Sequence, residues 1–243
     1  MSDAESTVDC AHGTTAATFV CKHLAGRGRD KGFVRERKDD DPWPDAWCDK
    51  CEAMLVKGGG VWTDALTEKA DIQVVCGYCW DESFVRNTAK RVTETTVRRF
   101  VRKCCRELEE KMAAWESEFG IGEYPLFKWS DEDAVLRFGS ESSWPVTCDI
   151  VVAGTWGKAS STWLWSWANA DFPEGVRVPL VPVKRFGEQR GYEPLMRSVV
   201  EADAEDAWHQ AAVAAHVIGA QAAYRVPYDR GEILLLVLRT EKK

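Results

Sequence analysis

A chain of 243 residues is too long for one small metal module and is sufficient for such a module plus one globular domain. With 45% hydrophobic and 29% charged residues, a packed core is expected and a disordered polymer is excluded. The net charge of −7 divides into −6 over residues 1–85, +3 over 86–119 and −4 over 120–243, and the acidic first stretch argues against a general attraction of that region to nucleic acid phosphates.

No run of about 18 apolar residues is present, so no membrane span and no membrane partner are expected. The opening MSDAESTVDC is acidic where a signal peptide is basic and then apolar, so a cytoplasmic chain is expected. In a reducing compartment nine cysteines do not read as a disulfide framework, and an odd number cannot all pair internally. Short-spaced pairs are better explained by a metal.

Four such pairs fall in the first third: Cys10/His12, Cys21/His23, Cys48/Cys51 and Cys76/Cys79. Their eight donors are what two closed tetrahedral zinc sites require, so two zinc ions per chain are expected. The two C-x2-C pairs are the more specific signal. Cys10, His12, Cys21 and His23 are less so, because an i, i+2 pair converges only where the backbone turns. A sequential arrangement, with the first two pairs on one ion and the last two on the other, is the simplest, and an interleaved one is also open. Buried cysteines that merely pack are the competing explanation.

Around these pairs, a short strand is expected near Ala17–Val20, a mobile loop over residues 25–45, a helix over Cys51–Lys57 and a strand over Ile72–Val75. Gly77 suits a tight turn inside the last knuckle. Few large apolar side chains occur here, so metal would supply much of the folding free energy. The zinc-knuckle module is placed at residues 8–82.

Residues 80–119 read as one helix, with residues 83–119 as the connecting helix between domains. Val97, Val101, Cys104, Leu108, Met112, Trp115 and Phe119 recur at steps of three and four, one apolar stripe. Arg98, Arg99, Arg102, Lys103 and Arg106 decorate the other faces, most simply as a solvated surface.

Residues 120–243 form an α+β domain in this reading, an antiparallel sheet packed against helices. In Trp163-Leu-Trp165-Ser-Trp167 the indoles sit at i, i+2 and i+4, so on a strand all three share a face, and each N–H calls for an acceptor. Pro194–Ala202 reads as a short helix, Asp203–Tyr224 as an Ala-rich helix carrying His209 and His216, and Ile233–Leu238 as a strand buried on both faces.

The segment Thr162-Trp-Leu-Trp-Ser-Trp-Ala-Asn169, followed by a Pro-bearing helix and a late small-residue helix, resembles a bacterial family of uncharacterised α+β domains that carry a W-x-W-A-N motif. The resemblance covers roughly residues 90–240. Likewise, the Cys10–Cys79 pattern is similar to a recurrent bacterial cysteine/histidine-rich module. Neither resemblance implies an established activity.

No phosphate loop, nucleophile elbow, H-x-E or H-E-x-x-H motif occurs, so no catalytic and no organic cofactor-binding residue is assigned. The expected function is a non-enzymatic zinc-binding protein whose partner is another protein. The alternative is a small-molecule binder or enzyme with a pocket between the Trp-rich sheet and the His209/His216 helix, using Glu201, Asp206 and His209. A third reading is single-stranded nucleic acid binding through Trp47, Tyr78, Trp80 and the Arg98–Arg106 stripe, which the acidic charge disfavours.

Overall fold

The computed structural model describes residues 7–38, 40–88 and 92–243. The chain divides into two units, one running to residue 91 and taking in Met196–Ser198, the other holding the rest.

The first unit is a small sheet edged by helices. Strand β1 (Thr7–Cys10) turns back into β2 (Gly13–Cys21), antiparallel, with Cys10 opposite Gly13. Gly13 takes φ 90°, a conformation that suits glycine at a hairpin tip. After helix α1 (Lys22–Ala25), strand β3 (Val34–Arg35) pairs antiparallel with β4 (Ala46–Trp47), and β4 touches β2 in parallel at Val20↔Ala46. Helices α2 (Asp49–Lys57) and α3 (Asp64–Ala70) lead to β5 (Ile72–Cys76), antiparallel to β2, and then to α4 (Gly77–Asn87).

Among the described residues, the stretch between α1 and β4, expected to be a mobile loop from its Gly, Pro and charge content, is packed and hydrogen-bonded within the unit. Trp43 is 6% exposed and donates its Nε1–H to Asp81, and Phe33 meets Trp80 edge to face at 4.9 Å. Backbone N–H groups of Asp30, Glu36 and Asp49 bond to Arg86, Asp45 and Lys31 carbonyls. Gly77 does not take a positive φ. Its small size is used otherwise, since a Cβ there would run into the Trp43 indole.

Asp81, 2% exposed, accepts from Trp43 Nε1 and from both the amide (2.8 Å) and hydroxyl of Ser198. Hydrogen-bond donors of this kind offset the cost of burying a carboxylate. Nothing in the local sequence singles it out.

The expected single helix over residues 80–119 is two. Helix α4 ends at Asn87 with Thr88 extended, and α5 (Glu94–Phe119) starts afresh where the Thr93 hydroxyl accepts from the Thr96 amide. Threonine competes for backbone groups and favours such ends over helix interiors.

In the second unit the stripe on α5 faces inward, with Cys104, Leu108 and Trp115 buried. A seven-stranded antiparallel sheet supplies the rest of the core: β6 (Leu126–Ser130), β7 (Val135–Gly139), β8 (Val146–Gly157), β9 (Thr162–Trp165), β10 (Val199–Glu201), β11 (Ala222–Tyr228) and β12 (Gly231–Lys242). The long β8 is the spine, pairing with β12 along one edge and with β7 and then β9 along the other. Leu234, Leu235, Leu236 and Val237 are wholly buried, and Trp115 packs into a cluster with Leu136, Phe138, Ile150, Val152 and Leu235.

Helices α6 (Glu174–Arg177), α7 (Val181–Arg190), α8 (Glu193–Met196) and α9 (Ala204–Ile218) complete the chain. The short helix expected over Pro194–Ala202 is confined to α8, which ends at Met196, and Val199–Glu201 form β10 because they pair with β9. Asp203 caps α9 by accepting from the Glu205 and Asp206 amides. Gly219 ends α9 at φ 75°, five residues before the expected Tyr224, and the alanines beyond it pair with β12 instead.

The three indoles do not share one strand face. Pairing of β9 stops at Trp165, and Ser166–Ala168 coil into a 3-10 turn that swings Trp167 onto Trp165, stacked at 4.4 Å, while Trp163 meets Trp165 edge to face at 5.3 Å. Trp165 Nε1 donates to the Pro194 carbonyl, but Trp163 and Trp167 Nε1 find no acceptor among the described residues. All three are at most 1% exposed, so this is core and not the wall of an open pocket.

Candidate metal centres

The first unit gathers the eight Cys and His donors into two groups of four: Cys10, His12, Cys76 and Cys79, and Cys21, His23, Cys48 and Cys51. Within each group the donor atoms lie within 4.8 Å of one another. The pairing is nested, first pair with fourth and second with third, which is neither the sequential nor an interleaved arrangement. The sequential arrangement fails on length: nine residues of β2 at about 3.3 Å each separate His12 from Cys21 by close to 30 Å. A single ion cannot reach both ends of that strand.

The first group forms where β5 returns along β2, with Ala17 opposite Cys76. The hairpin tip gives Cys10 and His12 the turn that their spacing needs, and the His12 amide donates to Cys10 Sγ at 3.3 Å. Cys76 caps α4 and accepts from the Cys79 amide at 3.4 Å. The second group forms where β2 and β4 run side by side, so that Cys21 and Cys48 emerge together, and the Cys48 amide donates to Cys21 Sγ at 3.4 Å. Cys48 stands at the start of α2 and Cys51 in its first turn. Amide N–H groups and helix N-termini aimed at sulfur favour the thiolate, the form that binds metal.

Distances suit a tetrahedral ion. Zinc–sulfur bonds of about 2.3 Å and zinc–nitrogen bonds of about 2.0–2.1 Å at the tetrahedral angle set sulfur roughly 3.6 Å from nitrogen. His12 Nδ1 lies 3.4, 3.6 and 3.7 Å from Cys10, Cys76 and Cys79 Sγ, and His23 Nδ1 lies 3.4 Å from Cys51 Sγ. The Cys10–Cys76 sulfur pair, at 3.1 Å, is tighter than the ~3.8 Å that the same bond lengths give.

Electrostatics differ between the groups. Burial first, then the neighbouring Cys21 and Cys48, push Cys51 up to about 12, as expected where several thiols share a buried space. A hydrogen bond with Cys76 raises Cys10. Burial and the nearby Lys50, Lys31 and Lys22 lower His23, favouring the neutral imidazole that a metal uses. Cys21, Cys48 and Cys51 are buried, whereas Cys10 and Cys79 are partly exposed and His12 is exposed.

In the second unit His209 lies within 3.7–3.8 Å of Asp206 and Glu205 on its own helix, and His216 Nδ1 meets Glu107 at 2.7 Å with its ring against Phe100. Glu201 stands exposed on β10. Neither histidine belongs to a metal-competent group among the described residues. Arg99, Arg102, Lys103 and Arg106 border an open groove with Phe100 and Tyr192, and Lys103 pairs with Glu107 at 3.5 Å. A cavity that the sequence reading missed opens in the first unit beside the second group. Its one legible signal is Trp47 next to the ligand-spaced Cys48.

No described helix is long and apolar enough to cross a membrane. No curated protein and no solved structure matches the chain. A family model matches residues 98–240, from inside α5 to near the end of β12, so both Cys/His groups lie outside the matched region. Over that span, which carries the Trp-rich β9 and its 3-10 turn, the chain belongs to the family of unknown function DUF6882.

Proposed function

We propose that the chain is a non-enzymatic zinc-binding protein that holds two structural zinc ions and works by binding another protein. The observation that carries this reading is the pair of separate three-Cys, one-His groups, each with four donors within 4.8 Å. A mixed sulfur and nitrogen set suits zinc, and four protein donors leave no coordination position for a reacting water. Cys10, His12, Cys76 and Cys79 would hold one ion and Cys21, His23, Cys48 and Cys51 the other. When bound, each would tie strand ends to helix starts, at about 10–16 kcal/mol per site.

Interaction with a protein is supported by the apolar side chains that this unit leaves in solvent. Phe19 and Val74, 42% and 52% exposed, are direct partners across β2 and β5 and so form one continuous patch. A reducing, cytoplasmic setting fits nine free thiols.

Elemental mass spectrometry tests the reading. Two zinc ions per chain are expected, with Cys48→Ala and Cys76→Ala each losing one. A chain purified without metal, or both variants losing the same ion, would overturn it.

A further inference from the structure

The cavity beside the second Cys/His group has a volume of about 300 Å³ and combines two kinds of wall. Phe19, Trp47 and Trp62 supply aromatic faces, with Ile72 among them, and Glu36 and Asp45 supply carboxylates. Trp47 and Trp62 meet edge to face, centroids 5.4 Å apart and planes at 77°, so two indoles turn a corner instead of stacking shut. Trp47 is held there by its Nε1–H donating to Glu52 at 2.6 Å. Asp45 is fixed by the Phe19 amide, which donates to its Oδ1 at 3.3 Å. Burial raises the Asp45 pKa, the mark of a carboxylate short of water.

Few ligands satisfy both walls. An apolar molecule would cover the rings and strip water from two carboxylates without repayment. A bare metal ion would take the carboxylates and leave the rings unused, and an anion would be repelled. An organic cation uses both, its positive charge facing the carboxylates and its polarised C–H groups lying on the ring faces. The chain's own Lys38 places its ammonium 2.9 Å from Glu36, and its charge also acts on Asp45.

We infer that this cavity takes an organic cation of the alkylammonium class, presented on a basic side chain of a partner protein. This rests on the reading above of an interaction protein and names its recognition chemistry. Phe19 stands two residues before Cys21 and Trp47 one residue before Cys48, so the strands that deliver those donors also set the spacing of the rings.

The test uses the full-length protein with its zinc content measured on the same sample. Choline, its uncharged carbon isostere, a lysine-rich peptide and a glutamate-rich peptide are titrated while the indole N–H resonances of Trp47 and Trp62 are followed. Choline and the lysine-rich peptide are expected to shift both resonances, and the isostere and the acidic peptide neither. Trp62→Ala and Asp45→Asn should each weaken binding roughly tenfold or more with unchanged metal content, and Lys38→Ala should strengthen it.

An isostere that shifts the indoles as strongly as choline, or silence with every probe, overturns the inference. Choline binding with a silent lysine-rich peptide overturns the partner side chain as its source. Silent indoles in a protein holding two zinc ions sink this inference alone, and cation binding by a protein without zinc sinks the zinc reading alone.

Discussion

Glu107 shows how one exposed residue carries a measurable consequence. Its hydrogen bond with His216, with Lys103 adding to it, holds the carboxyl below its ordinary value of 4.5. A depressed native value contributes stability that is complete above the unfolded value and lost as pH falls through the native one. The urea midpoint of the wild type should therefore exceed that of Glu107→Gln at about pH 5, by a margin that shrinks as the pH falls further. A margin that grows on acidification would contradict the assignment. Asp81 and Gly77 show the limit of reading residues one at a time. Asp81 looks like any acidic residue early in a helix, and its three donors come from Trp43 and Ser198, far apart in sequence. Gly77 looks like a turn glycine, and what requires it is the indole of Trp43.

Elements were legible where one period ran unbroken. The α5 stripe, the capped start of α9 and the apolar run of β12 all carry local signals that the tertiary structure leaves in force. Boundaries failed where two signals met. Alanines after Gly219 favour helix, yet pairing with β12 draws them into β11, and Trp167 keeps strand-like spacing while a 3-10 turn redirects it. The indole stack depends on that redirection. Trp165→Ala removes the central ring of three and the bond to Pro194, so a loss of about 3–5 kcal/mol is expected by urea unfolding, whereas Trp165→Phe, which keeps a ring, should lose less. Equal losses would show that the stack contributes no more than the volume of one side chain.

At the scale of the whole molecule, the proposed zinc ions distinguish the first unit, whose core holds Leu24, Trp43, Leu55, Trp80 and Phe84, from the second, whose apolar cluster runs from Trp115 to Val237. Chelation should melt the first unit and spare the second, read as alkylation of Cys10, Cys21, Cys48, Cys51, Cys76 and Cys79 while Cys104 and Cys148 stay protected. Those last two are at most 1% exposed, and burial pushes their pKa values up to about 12 and about 11. Alkylation of all of these at one rate would refute the division. The eight donor candidates were legible because short spacing is a local property. Their nested pairing was not, because it follows from β5 running back along β2, a long-range pairing.

The three residues Met196–Ser198 bear on how such a protein can be inherited. They fall inside the stretch matched by the family model, yet they belong to the unit that carries the Cys/His groups, where Ser198 meets Asp81. A gene fragment ending at residue 91 would encode the buried carboxylate without two of its donors. Recombination at that point would part Asp81 from Ser198, so each descendant would lack one side of a buried hydrogen-bond set that lies within a single unit.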